Sequence, residues 1–206
     1  MQFTICRAEC VGNKANCRYP IVIDVCSADE LKEAVAYDHV CGKYQSNYRS
    51  NSNFQSSDVV VMDLDNDHSD NPGDWITEDK LDEQMPDINY AVAPSRHHML
   101  EKEGQSARPR LHVYFPITEV TDAEVYAAIK RAIHKAYPFF DDNALDAARF
   151  LFGADTDEVT WHDGWINIDE EVLVDLEPEE DELPTTKGPI LEGNRNNTLS
   201  RFAGRV

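Results

Sequence analysis

Basic residues are scarce in this chain, and nowhere is it apolar for long. Nineteen Lys and Arg stand against 39 Asp and Glu, which gives a net charge of -20 over 206 residues. No run approaches the roughly 18 apolar residues that a membrane-crossing helix needs, so a helical span is excluded. The first residues, MQFTICRAEC, lack the charged start and long apolar stretch of a secretion signal. Cysteine is limited to Cys6, Cys10, Cys17, Cys26 and Cys41, an odd number confined to the first fifth of the chain. These are expected to be free thiols in a reducing cytoplasm. A zinc site from Cys6, Cys10 and Cys17 would lack both a knuckle spacing and a nearby His, so roles as small hydrophobes and loop thiols are preferred. If the charge were uniform, its sign would also exclude a nucleic-acid partner, because polyanions repel one another.

The charge is not uniform. Between positions 169 and 182 lie nine acids and no base, interrupted by Pro178 and followed by Pro184. Such a block reads as a solvated linker or tail. Beyond it, Lys187, Arg195, Arg201 and Arg205 face only Glu192. The expected organisation is therefore one domain over 1–168, then an acidic linker and the start of a further C-terminal region over 169–206.

Residues 19–25 (YPIVIDV) form a β-branched run that predicts a strand. Ser27-Ala-Asp-Glu30 is a capping box that opens a helix with Leu31, Ala34 and Val35 inward. Residues 41–54 have no periodicity and predict a loop, which carries Lys43 and Arg49. Strands are expected at 58–65 (DVVVMDLD), 89–95 and 110–117, the last stopped by Pro116. Thr77 is placed to cap a short helix bearing Leu81 and Met85. A second capping box, Thr121 to Glu124, should open a helix with Val125, Ile129, Ile133 and Ala136 on one face, ending at Tyr137 before Pro138. Residues 143–151 are predicted helical, and 159–168 a hairpin around Asp163-Gly164. No internal repeat is evident, and strands and helices intermix without regular βαβ spacing. The fold class is therefore α+β, a single domain with a mixed or antiparallel central sheet flanked by helices.

Three segments hold residues suited to chemistry. In the first, Asp63 and Asp65 end an apolar strand and alternate onto one face, with Cα atoms about 6.6 Å apart. Two such carboxylates repel unless a positive charge sits between them, and a hard divalent cation fits; the bland alternative is a strand end entering a polar turn. In the second, the connection from Ser95 to Arg110 carries Arg96, His97, His98, Lys102 and Arg108, and His112 follows on the next strand. Guanidinium groups grip phosphate oxygens in pairs, and a strand His can bond a phosphate, although a lone strand His is commonly a satisfied core residue. In the third, Asp141, Asp142 and Asp146 precede Arg149. Asp146 and Arg149 would pair on a helix, while Asp141 stands just before it as a candidate third metal ligand.

In this order the three segments resemble the archaeo-eukaryotic primase superfamily, in particular the primase-polymerases of phages, plasmids and mobile elements. That family has an acidic pair ending a strand, a serine and histidine opening a later strand, and a third acid after a hydrophobic residue. Here these would be VVVMDLD, Ser95 with His112, and Phe140-Asp141, followed by Arg149-Phe-Leu-Phe152. The second motif departs from the pattern, since a long connection separates Ser95 from His112. Ser95-Arg96-His97 is itself a literal match, but no strand follows it, so His112 is preferred to His97. The likeness covers about half the chain, residues 57–152. It extends to 193–204 as the lead into a helical region and often a helicase.

The resemblance implies a single catalytic domain with an RRM-like core. It implies a nucleotidyltransferase, a DNA primase or polymerase in the replication of a phage or mobile element. Asp63, Asp65 and Asp141 would hold Mg²⁺ or Mn²⁺. His112, with Ser95, Arg108 and Arg110, would hold the phosphates of a nucleoside triphosphate, with Arg149 assisting. Lys43 and Arg49 would contact template or nucleotide. Partners would be a single-stranded DNA template and a helicase domain or subunit. Two other readings compete. A haloacid-dehalogenase-like phosphatase also uses Asp-x-Asp after an apolar strand, but the chain has Asp67 where that family needs Thr or Val, and no later G-D-x-x-x-D. The other is a non-catalytic nucleic-acid-binding module.

Overall fold

The computed structural model describes residues 1–174 except Glu103 and Ala144. Most of the expected acidic linker, and the segment at 193–204, lie outside the described residues. Two antiparallel sheets pack face to face. In the first, β1 (Phe3–Arg7) pairs with β2 (Ile21–Val25) and β3 (His39–Val40), and β3 pairs with β8 (Phe150–Leu151), in the order β2-β1-β3-β8. The second has the order β4-β5-β7-β6-β9. It is built from β4 (Lys43–Tyr44), β5 (Phe54–Leu64), β6 (Tyr90–Pro94), β7 (Leu111–Val120) and β9 (Thr160–His162). Of the mixed and antiparallel sheets expected, the antiparallel one forms, and the α+β class holds. Helices α1 (Ala28–Val35), α2 (Glu78–Gln84), α3 (Ala123–Ala136) and α4 (Ile168–Val174) flank the sheets. Among the described residues no helix is long and apolar enough to cross a membrane.

Alternation on β5 and β7 divides the core. Val60, Met62 and Leu64 with Leu111, Val113 and Phe115 pack under Tyr126, Ile129 and Ile133 of α3. The opposite side chains, Val59, Val61 and Tyr114, meet Phe3, Ile5 and Val25 of the first sheet and Leu31 of α1. By the same period of two, Asp63 and His112 belong to this inter-sheet face. The Ser27 cap forms as expected, its hydroxyl accepting from the Glu30 N–H while the Glu30 carboxylate accepts from the Cys26 N–H.

Several expectations are corrected. Strand β7 does not stop at Pro116 but runs to Val120. Pro116 lies past the end of the β6 ladder and beside a bulge in β5, where a missing N–H is tolerated. The cap of α3 is Asp122 rather than Thr121, and it accepts from the Glu124 and Val125 N–H groups. Val125 is consequently 48% exposed, and the inward stripe is Tyr126, Ile129, Lys130 and Ile133. Residues 143–151 do not form a helix. Their backbone is claimed by distant partners instead: Tyr44 and Arg49 donate to the carbonyls of Ala147 and Ala148, and β8 joins β3. Residues 159–168 make only β9 of the expected hairpin. After Gly164 the chain presses on Asp87, whose carbonyl oxygen is 2.3 Å from where a Cβ at 164 would stand, and then enters α4. The expected boundary at 168 therefore falls inside α4, where the Asp169 carboxylate accepts from the Thr118 N–H at 3.0 Å. The stretch 41–54, expected as a loop, contains the short strand β4, and β1 and β3 form where no strand was expected.

Candidate active site

The apolar run of β5 ends in charge. Asp63 lies next to last in the strand and directly opposite His112 of β7, with His112 Nε2 3.6 Å from Asp63 Oδ1. Arg149, just before β8, donates from Nη2 to Asp63 Oδ2 at 2.5 Å. Asp65 stands one residue past the strand end, and its Oδ2 accepts from Lys102 Nζ at 3.1 Å. Beyond α3, Phe140 is buried among the apolar side chains under that helix, and its carbonyl bonds the His134 ring. The next residue, Asp141, then donates its N–H to the Asp63 carbonyl at 2.9 Å. An acid pair two positions apart and a third acid far along the chain thus meet at the end of one strand.

Their electrostatics differ. Burial opposes the charge of Asp63, but His112, Arg149 and Lys130 outweigh it and hold the carboxyl below its usual range. Asp141 is pushed up to about 7, first by burial and then by the charges of Asp65, Asp63 and Asp67. Burial lowers His112, with Asp63 pulling the other way. Burial thus favours the neutral imidazole, which has one N–H to give. As the side chains stand, no three of His, Cys, Asp and Glu among the described residues form a metal-holding group, and Arg149 and Lys102 rest on the carboxylate oxygens. Two features nonetheless fit a cation. Asp63 Oδ1 is buried with no hydrogen-bond partner, and Asp141 faces acids on three counts.

The two histidines stand in different places. His112 faces Asp63 from the neighbouring strand, whereas His97 sits in the turn after β6 and donates its N–H to the Ser95 hydroxyl at 3.3 Å. Ser95 is bound at that turn too, its N–H on the Arg110 carbonyl. Arg108 and Arg110 are not available to phosphates, which corrects the role expected of them. Both side chains are 0% exposed. Arg108 donates to the carbonyls of Asn66, Ser69 and Ser106 and to the Asp70 carboxylate, while Arg110 donates to the Leu100 carbonyl and the Gln105 side chain. They brace the loops after β5 and β6 from inside. Lys43 is also misplaced: it pairs opposite Ser56, seven residues along β5 from Asp63 and on the order of 23 Å away. Arg49 donates to the Ala148 carbonyl at 2.8 Å, beside the Arg149 segment rather than on the acids.

Sequence reasoning assigned no role to Lys130 or to Lys102 individually. Lys130 is buried on the inward stripe of α3, and burial brings its pKa down to about 8 against the pull of Asp63 and Cys41. A lysine on an otherwise apolar helical stripe was the available signal. Lys102 carried none beyond membership of a basic loop.

No protein-family model matches the chain, and no curated protein matches it either. A solved structure does: the AEP domain of the cyanophage S-2L primase-polymerase. The match has a TM-score of 0.46 and 11% identity, and covers 84% of this chain and 87% of that one.

Proposed function

We propose that this chain is a divalent-metal-dependent nucleotidyltransferase that extends a 3'-hydroxyl along a single-stranded template with nucleoside triphosphates, as a primase-polymerase does. One observation carries the reading: Asp63, held opposite His112, is joined through its own carbonyl to Asp141 and followed by Asp65, so that three carboxylates gather at one strand end. The resemblance of the same residues to the primase motifs is consistent with it.

Asp63, Asp65 and Asp141 would hold Mg²⁺ or Mn²⁺, which when bound activates the attacking hydroxyl and neutralises triphosphate charge. The chain's own side chains supply the rest. Arg149, 40% exposed at its side chain, has a guanidinium within reach of both the acids and solvent, and so can exchange a carboxylate oxygen for a phosphate oxygen. Lys102 stands in the same relation to Asp65. His112, fixed by its strand, can in its neutral form donate one N–H to a phosphate oxygen without adding to the charge facing Arg149. These contacts orient the triphosphate against the hydroxyl, and orientation of this kind is a large part of the rate enhancement in phosphoryl transfer.

The test is extension of a labelled primer on single-stranded DNA by the 206-residue chain, with nucleoside triphosphates and Mg²⁺ or Mn²⁺. Extension that disappears in Asp63→Asn and Asp65→Asn is expected. No product, together with metal binding that is unchanged in both variants, would overturn the reading.

A further inference from the structure

Among the described residues five arginines stand over aromatic rings, and three of them, unlike Arg7 and Arg108, have no carboxylate within ion-pair distance. Arg18 Cζ is 5.9 Å from the Tyr48 ring centre, Arg49 Cζ 4.7 Å from that of Phe150, and Arg96 Cζ 3.5 Å from that of Phe152. The pairs are contiguous. Arg18 bridges to Tyr48 through the backbone, Arg49 follows Tyr48 in sequence, and the Phe150 and Phe152 rings are 4.8 Å apart and edge-to-face. The line ends beside Arg149, whose side chain is on Asp63. Among the described residues none of the three guanidiniums has a carboxylate within ion-pair distance, whereas Arg7, Arg108, Arg110 and Arg149 all do. With acids outnumbering bases two to one, leaving these three cations without a carboxylate, and side by side, points to an anion from outside the chain.

We propose that Arg18–Tyr48, Arg49–Phe150 and Arg96–Phe152 form a track on which single-stranded nucleic acid stacks as it approaches the Asp63 site. A guanidinium resting on a ring keeps its outer plane free for a nucleobase while its N–H edges reach phosphate oxygens. Alternating aromatic and basic side chains along a groove is how single strands are held without regard to sequence. Arg96 also walls a cleft of about 340 Å³ between the end of β6 and residues 153–158, room for a base turned inward. A duplex, whose bases are already stacked on each other, gains nothing from these planes. The direction of the track rests on the proposed function; its chemistry does not.

The experiment is fluorescence anisotropy of the 206-residue chain with a labelled oligothymidylate and with an abasic strand of the same length, in EDTA and without nucleotides. The thymidylate should bind about tenfold or more tightly than the abasic strand. Arg96→Ala and Phe152→Leu should each weaken it roughly 5- to 20-fold while moving the abasic strand little, and Arg96→Lys, which keeps the charge, should lose most of the preference for bases. Equal affinity for the two strands, or unchanged affinity in Phe152→Leu, would overturn the track. Should Phe152→Leu fail to fold, Arg18→Ala and Arg96→Lys at exposed positions decide the matter. Because no turnover is involved, the two proposals fail separately. Base-dependent binding without primer extension would sink the polymerase reading alone, and extension without base-dependent binding would sink the track alone.

Discussion

Arg108 and Arg149 are both drawn to the acids around the end of β5, and they do opposite things there. Arg108 is sealed, and four of its hydrogen bonds go to the Asn66, Ser69 and Ser106 carbonyls and the Ser106 hydroxyl, with a fifth to the Asp70 carboxylate at 2.6 Å. Arg149 touches one buried carboxylate, and its side chain stays 40% exposed. A guanidinium surrounded by carbonyls is scaffold, because every bond it lost would leave an unsatisfied oxygen inside the protein. A guanidinium with one carboxylate and an open side has a partner it can exchange. The difference separates bases that shape the site from bases that can meet a substrate.

The largest effect should come from the carboxylates those arginines serve. Asp63→Asn is expected to reduce primer extension on the order of 10³-fold, since it removes charge from the one acid buried between His112 and Arg149. Asp70→Asn, at a carboxylate 91% exposed, should leave extension within about twofold. Comparable losses in the two variants would erase the distinction between the arginines. Next come the arginines themselves. Arg149→Ala should cost about 10²-fold in extension with little change in melting temperature. Arg108→Ala should do the reverse, destabilising the fold by about 3 kcal/mol, or roughly 6–12 °C, through the loop carbonyls it orphans. Activity per folded molecule should persist at low temperature. A cold-active, heat-labile Arg108 variant beside a heat-stable, inactive Arg149 variant is the expected pair.

The same contrast explains what the sequence disclosed. The Asp63–Asp65 pair was legible because it interrupts an apolar strand, a local pattern with a local cause. The strand position of His112 was legible for a related reason: it, and not His97, stands at the start of a β-branched and aromatic run. Arg108 and Arg110 were misread because a basic cluster in sequence says nothing about whether its charges face solvent or a loop's carbonyls. The helix expected at 143–151 failed likewise. Its residues have adequate local propensity, but the bonds from Tyr44 and Arg49 and the pairing of β8 with β3 come from some hundred residues away. Lys130 was missed on a stripe whose phase was itself misjudged by placing the cap at Thr121 instead of Asp122. What is set by neighbours three or four positions away could be read; what is set by the meeting of the two sheets could not.

The smallest predicted effect probes the acid that neither arginine serves. Lys102 pulls the pKa of Asp141 down, but burial together with Asp65, Asp63 and Asp67 outweighs it and raises the pKa to about 7. In the unfolded chain it titrates near 3.8, so between roughly pH 4 and 7 the folded state binds the extra proton. Stability must then fall as pH rises through that window, and the penalty is fully present above it. Partial exposure screens the effect to on the order of 1 kcal/mol, or about 2–4 °C. In EDTA, the difference in melting temperature between Asp141→Asn and the parent should therefore grow in favour of the variant from pH 4 to pH 7.5. Mn²⁺ should reverse that order above pH 7, because the parent gains a ligand for the ion and the variant does not. A difference that stays flat with pH would mean that Asp141 does not share the field of Asp63 and Asp65, and the three acids would then not act as one site.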